Sequence, residues 1–121
     1  MSSKTILMTG SEGFIGSFLK IRLLESEYKV DCLVRNKKKL KNIKNLKYIQ
    51  SDISKKINIS NRRYDVILHC AALSPTPNIK KIDYFKNNVD ATKNIIRFAK
   101  KSGTKKIIFL SSISIYGKIK S

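Results

Sequence analysis

The chain has no tryptophan, one histidine, two cysteines, two prolines and five glycines among its 121 residues. Two cysteines are too few for a disulfide scaffold, and so little glycine and proline excludes a collagen-like or low-complexity chain. A hydrophobic share of 41% is too high for a disordered chain. No uninterrupted apolar stretch approaches the roughly 18 residues of a membrane span, so no membrane partner is expected. The opening Met1-Ser2-Ser3-Lys4-Thr5 lacks the layout of a signal peptide, and the expected location is cytoplasmic. Cys32 and Cys70 each lie inside an apolar run. If those runs are strands with one strand between them, the two sit roughly 9.6 Å apart, too far for a disulfide. Reduced, buried thiols are expected. One histidine cannot build a metal site with them, and no metal is expected.

Negative charge is scarce too: 8 Asp and Glu stand against 26 Lys and Arg, for a net charge of +18 and a pI near 10.1. Such a surface attracts polyanions, and a nucleic-acid-binding protein is one reading. Its details argue otherwise. The basic residues are 21 Lys and only 5 Arg, whereas bidentate phosphate and base recognition favours Arg. The lysines are spread over the whole chain, beside 18 Ile, 9 Asn and only 4 Ala. Lys, Ile and Asn have A+T-rich codons, so codon bias accounts for the charge. Any nucleic-acid binding is expected to be non-specific.

What the chain does have is a succession of short, β-branched apolar runs: Thr5 to Met8, Val30 to Val34, Leu46 to Ile49, Val66 to Cys70 and Ile107 to Leu110. Runs of this kind read as strands covered on both faces. Helical patterns lie between them. Residues 14–26 place Phe14, Ile15, Phe18, Leu19 and Leu23 on one broad face. Residues 81–101 carry a stripe of Ile82, Phe85, Val89, Ile96 and Ala99, and Gly103 follows as a helix stop. Segments 36–45 and 52–63 are Lys- and Asn-rich and read equally as short helices or loops. The alternation predicts βαβ units in a parallel sheet.

Directly after the first strand, and opening the first helix, stands Thr9-Gly10-Ser11-Glu12-Gly13-Phe14-Ile15-Gly16. A dinucleotide's pyrophosphate needs backbone N–H groups at a helix N-terminus with no Cβ in the way. Gly10 is expected to make the tight turn, Gly13 to admit the phosphates, and Gly16 to let helix and strand pack closely. The Gly-x-x-Gly-x-x-Gly spacing with Phe14-Ile15-Gly16 resembles the extended short-chain dehydrogenase/reductase family of NAD(P)-dependent sugar epimerases and dehydratases. Four later segments agree with it: Ser51-Asp52-Ile53, Asp65 to Ala72, Asn88-Val89-Asp90-Ala91-Thr92, and Ser111-Ser112-Ile113-Ser114-Ile115-Tyr116-Gly117.

The resemblance implies a partial doubly wound, Rossmann-type α/β domain over residues 1–121. Its parallel strand order is 3-2-1-4-5, with helices on both faces, and it is truncated after the fifth strand. It also implies a dinucleotide held by Gly10, Gly13, Phe14, Ile15 and Gly16. Asp52 and Ile53 would lie at the adenine, Ala71, Ala72 and Leu73 would follow the fourth strand, and Asn88 would lie near the active site. Ser112 matches the hydroxyl that bonds the substrate's oxygen. The family's Tyr-x-x-x-Lys pair would lie in a later helix. Tyr116 and Lys120 spell it by coincidence, in the wrong place and beside a helix-opposing Gly117. The longer parent is expected to act on a nucleotide-activated sugar, and to form a homodimer. A non-catalytic NADP-binding or redox-sensing module is the rival reading.

Cofactor choice turns on the end of the second strand, where a carboxylate suits NAD and an arginine suits NADP. Asp31 sits some 13 Å short of that end at about 3.3 Å per residue, and reads as a solvated residue at the strand's start. Arg35 and Asn36 face the adenosine instead, so NADP is favoured over NAD. His69, inside the fourth strand, reads as a packing residue rather than a proton carrier.

Overall fold

The computed structural model describes residues 4–59, 62–70 and 80–110, with the side chains of Lys81 and Tyr84 excepted. Five strands form one parallel sheet: β1 (Thr5–Thr9), β2 (Lys29–Val34), β3 (Leu46–Gln50), β4 (Val66–His69) and β5 (Ile107–Phe109). Their order is β3-β2-β1-β4-β5, as expected. Helix α1 (Phe14–Glu25) joins β1 to β2, and α2 (Lys81–Ser102) precedes β5. The ambiguous crossovers form no helix among the described residues: the segment from β2 to β3 is a loop closed by an Ile43–Leu46 bridge.

Strand side chains alternate between two apolar cores, because successive residues point to opposite faces. Ile6, Met8, Val30, Cys32, Val34 and Leu68 pack on one side with Leu19, Leu23 and Leu24 of α1. Leu7, Leu33 and Ile67 pack on the other with Ile95, Phe98 and Ala99 of α2. Gly103, at φ +78°, caps α2 in the left-handed region behind Lys100 and Lys101, the stop its sequence announces. The two cysteines are free, Cys32 buried within β2 and Cys70 half-buried directly after β4, so β1 lies between them.

Three expectations are corrected. The broad apolar face assigned to α1 is split: Leu19 and Leu23 pack inward, while Phe14 is 94% exposed and Ile15 and Phe18 are more than half exposed. The α2 stripe is displaced as well. Ala91, Ile95, Phe98 and Ala99 are buried, whereas Ile82 and Phe85 face out. Both helices carry two apolar stripes, and only one can face the sheet. Asp31 is not solvated but buried, accepting hydrogen bonds from the Tyr64 hydroxyl at 2.7 Å and from Arg62 at 3.2 Å. A carboxylate inside the sheet is tolerable only with such partners.

Candidate functional site

The crossovers through α1 and α2 lie on opposite faces of the sheet, so a crevice opens where β1 and β4 end side by side. Ligands of open α/β sheets bind outside the carboxyl ends of the strands at such a point. There Gly10, at φ +68°, makes the turn out of β1, and Gly13 N–H donates to the Gly10 carbonyl at 3.2 Å. Gly13 is the N-cap of α1 and supplies no side-chain cap, and the first turn holds no acidic residue. The N–H groups of Phe14, Ile15 and Gly16 therefore have no intrahelical acceptor.

The two later glycines do different work. A Cβ on Gly16 would lie 1.8 Å from the Gly10 carbonyl oxygen and 2.7 Å from its carbon. The bare α-carbon is what lets α1 press on the turn. A Cβ on Gly13 would meet only that oxygen, at 3.5 Å, and its φ of −76° suits any residue. The fold itself does not demand glycine at position 13; its bare α-carbon leaves space open in front of the helix N-terminus.

That space continues into a cavity of about 320 Å³ lined by residues 10–13, 33–36, Leu40, Ser51 and Ile53. Of the expected residues, Gly10, Gly13, Arg35, Asn36 and Ile53 line it. Phe14, Ile15 and Gly16 form the helix start beside it, and Asp52 meets Arg35 at 3.7 Å. Asp52 also accepts from the Ser54 hydroxyl at 2.7 Å and the Ser54 N–H at 3.0 Å. The Ser54 hydroxyl above all, with that N–H and Arg35, holds the Asp52 carboxyl below its ordinary range. Asn36 accepts from the Lys38 N–H at 2.9 Å. Asn88 is half-buried on α2 and engaged by a neighbour. Ala71, Ala72, Leu73, Ser112, Tyr116 and Lys120 lie outside the described residues.

His69 ends β4 buried, with Nδ1 hydrogen-bonded to the Thr9 hydroxyl at 2.6 Å and Nε2 3.4 Å from the Thr92 hydroxyl. Its ring stands edge-on to Phe109 at 5.6 Å. Burial holds its pKa below the ordinary value, so the neutral ring is favoured. These contacts suit the packing role read from the sequence. Ser11, 1% exposed, lies behind the turn against Cys32, whose thiol burial pushes up to about 11; the thiol stays protonated and inert.

Sequence reasoning missed Ser11, Glu12, Leu33, Val34 and Leu40 as cavity residues, while Ser51, from the segment expected at the adenine, lines it. Leu33 and Val34 could have been found by extending the logic used for Arg35 to the strand before it. It also missed Lys20, whose ammonium donates to Glu12 at 2.7 Å and to the Tyr48 hydroxyl at 2.8 Å.

No helix among the described residues is long and apolar enough to cross a membrane. The chain is 30% identical to a UDP-glucose 4-epimerase of Caenorhabditis elegans, over 93% of this chain and 39% of that protein. A crystal structure of UDP-galactose 4-epimerase superimposes with a TM-score of 0.79 at 29% identity, over 93% of this chain and 39% of that one. UDP-glucose 4-epimerase from Bifidobacterium longum, solved with NAD+ and UDP, superimposes with a TM-score of 0.75 at 26% identity, over 94% and 38%. The chain thus spans about two-fifths of the length of these relatives. Residues 6–121 match the model of the NAD dependent epimerase/dehydratase family, and with the glycine turn, the crevice and the 3-2-1-4-5 sheet described above, the chain belongs to that family.

Proposed function

We propose that this chain is the dinucleotide-binding part of an epimerase, dehydratase or reductase acting on a nucleotide-activated sugar, with NADP preferred over NAD. The observation that carries the reading is the contrast between the glycines. Gly16 is needed by the fold, whereas the bare Gly13 is useful only to something outside it, placed at the uncapped start of α1. A pyrophosphate fits that need, because its charge answers the helix dipole and its oxygens accept the free N–H groups. Phe14, Ile15 and Gly16 would bind it through backbone N–H. Leu33, Val34 and Ile53 would hold the adenosine between apolar walls, and Asp52 would accept from its amino group. A bound nicotinamide dinucleotide supplies hydride transfer. The nucleotide-sugar substrate rests on the likeness to the sugar epimerases.

The preference for NADP rests on Arg35. It stands at the end of β2, in the cavity wall, with a side chain 70% exposed and free to turn from Asp52 toward a 2′-phosphate. Arg–phosphate pairs are charge-assisted and often bidentate. Calorimetric titration of the native chain and of Arg35→Asp with NADP and NAD tests both parts. The substitution is expected to swing the ratio of affinities toward NAD by about tenfold, the scale of one charge-assisted bond. No binding of either dinucleotide refutes the function; tighter native binding of NAD refutes the preference alone.

A further inference from the structure

We propose that Lys20 is a positioning residue that holds the Glu12 carboxylate away from the start of α1, keeping the turn open to a dinucleotide's phosphates. The inference rests on the dinucleotide reading and extends it to a residue pair outside the glycine motif. Glu12 lies one residue before the N-cap, and α1 has neither a capping side chain nor an acidic residue in its first turn. Uncapped N–H groups and the helix dipole attract the nearest anion. Among the residues lining the cavity the one carboxylate is that of Glu12, and settled there it would fill the place of a phosphate and repel one.

Lys20 prevents this by geometry. Its ammonium grips Glu12 Oε2 at 2.7 Å, donates to the Tyr48 hydroxyl at 2.8 Å and stands 5.2 Å from the centre of the Tyr48 ring. Tyr48 is a rigid anchor. It is buried in β3, and its backbone N–H is bonded to Asn42 at 2.8 Å. Burial alone would lower the Lys20 pKa, but the bonds to Glu12 and Tyr48 outweigh it and hold the ammonium charged. Stability does not explain the charge. The Lys20 side chain is only 12% exposed, and its neighbours on that face of α1 are Leu19, Leu23 and Leu24. A methionine there would pack against the same core with no ion to desolvate.

The test is a double-mutant cycle read by calorimetric titration with NADP and NAD, with circular dichroism and thermal melts as checks. Lys20→Met is expected to weaken binding about tenfold, as an unmasked carboxylate beside a diphosphate should, without lowering the melting temperature. Adding Glu12→Gln to Lys20→Met is expected to restore most of that loss, while Glu12→Gln in the native background changes affinity far less. Lys20→Arg, which keeps the charge, is expected to keep most of the affinity. If Lys20→Met does not fold, Lys20→Gln carries the same cycle. Native binding with no loss in the lysine variant, or a loss that Glu12→Gln does not rescue, overturns the proposal and leaves the dinucleotide reading intact. Failure of the native chain to bind either dinucleotide overturns both.

Discussion

Replacing Gly16 and Gly13 one at a time separates what the turn needs in order to fold from what it needs in order to bind. In Gly16→Ala the new methyl starts 1.8 Å from the Gly10 carbonyl oxygen. Ordinary carbon–oxygen contact lies near 3.3 Å, so helix and turn must separate by about 1.5 Å. Both sides of the clash are backbone, and no rotamer change relieves it. Overpacking of this kind costs about 3 kcal/mol at the upper end. Alanine's better helix propensity returns about 1 kcal/mol, so a net loss of roughly 2 kcal/mol is expected. At about 4 °C per kcal/mol for a domain of this size, the melting temperature falls by about 8 °C. Gly13→Ala behaves differently. Its methyl meets ordinary contact at 3.5 Å, and the gain of about 0.4–1 kcal/mol from a stiffer unfolded chain is offset by alanine's poorer fit at an N-cap, so the melting temperature is expected to stay near native. Gly13→Val adds two methyls in the open space, and its dinucleotide affinity is expected to fall at least about tenfold, because steric exclusion removes the N–H contacts. Thermal melts followed by circular dichroism, with calorimetry on the same samples, read both effects. A Gly16→Ala chain that melts with the native one refutes the close approach, and a Gly13→Val chain that binds like the native one refutes the phosphate position.

Further expectations follow from the buried polar groups. Tyr64→Phe leaves the Asp31 carboxylate inside the sheet with Arg62 alone; a loss of about 2 kcal/mol in urea unfolding is expected, the scale of a hydrogen bond to a charged group, and an unchanged midpoint would show that Asp31 finds water instead. His69 has a folded pKa depressed below its ordinary 6.5 by burial, so the unfolded chain takes up the proton first as pH falls. Its contribution is complete above about pH 7 and is lost below about 6.5, at up to about 1.4 kcal/mol per pH unit. His69→Gln is expected to flatten the urea midpoint between pH 7 and 5, and a slope unchanged by it would assign the effect elsewhere. Asp52, held below 3.8 by Ser54 and Arg35, begins to lose its contribution only under more acid conditions, so its window opens at a lower pH than that of His69.

The sheet was legible because its three central strands, β2, β1 and β4, are short apolar runs buried on both faces, and such runs have few other homes; the edge strands β3 and β5, read the same way, are partly exposed. The turn was legible because three glycines at fixed spacing, between a strand and a helix, leave few alternatives. Arg35 was placed by counting along an extended strand, which needs no knowledge of side-chain contacts. Asp31 was misjudged for the complementary reason. Its environment depends on Tyr64 and Arg62, which are 33 and 31 residues away, and nothing in the local pattern announces those partners. The loop between β2 and β3 stayed ambiguous because its lysines and asparagines are compatible with either conformation, and the choice is made by packing of Leu40 against the core.

The rotation of α1 is a different case, because the information was present and went unread. Phe14, Phe18 and Ile21 form one apolar stripe, and Leu19, Leu23 and Leu24 form another. Hydrophobicity alone cannot rank them, and the larger aromatic residues draw the eye. Gly16 breaks the tie. A helical glycine that must touch the preceding turn faces the sheet, and residues three, four, seven and eight further on share its face. Those are Leu19, Lys20, Leu23 and Leu24, and the three leucines are the ones packed on the core. Phe14 and Phe18 lie about 160° around the helix from Gly16, so their exposure follows from the same contact. The same contact also turns Lys20 inward, against the hydropathy of its side chain. A lysine forced onto the sheet-facing stripe requires a buried acceptor and a countercharge, and the structure supplies both in Tyr48 and Glu12.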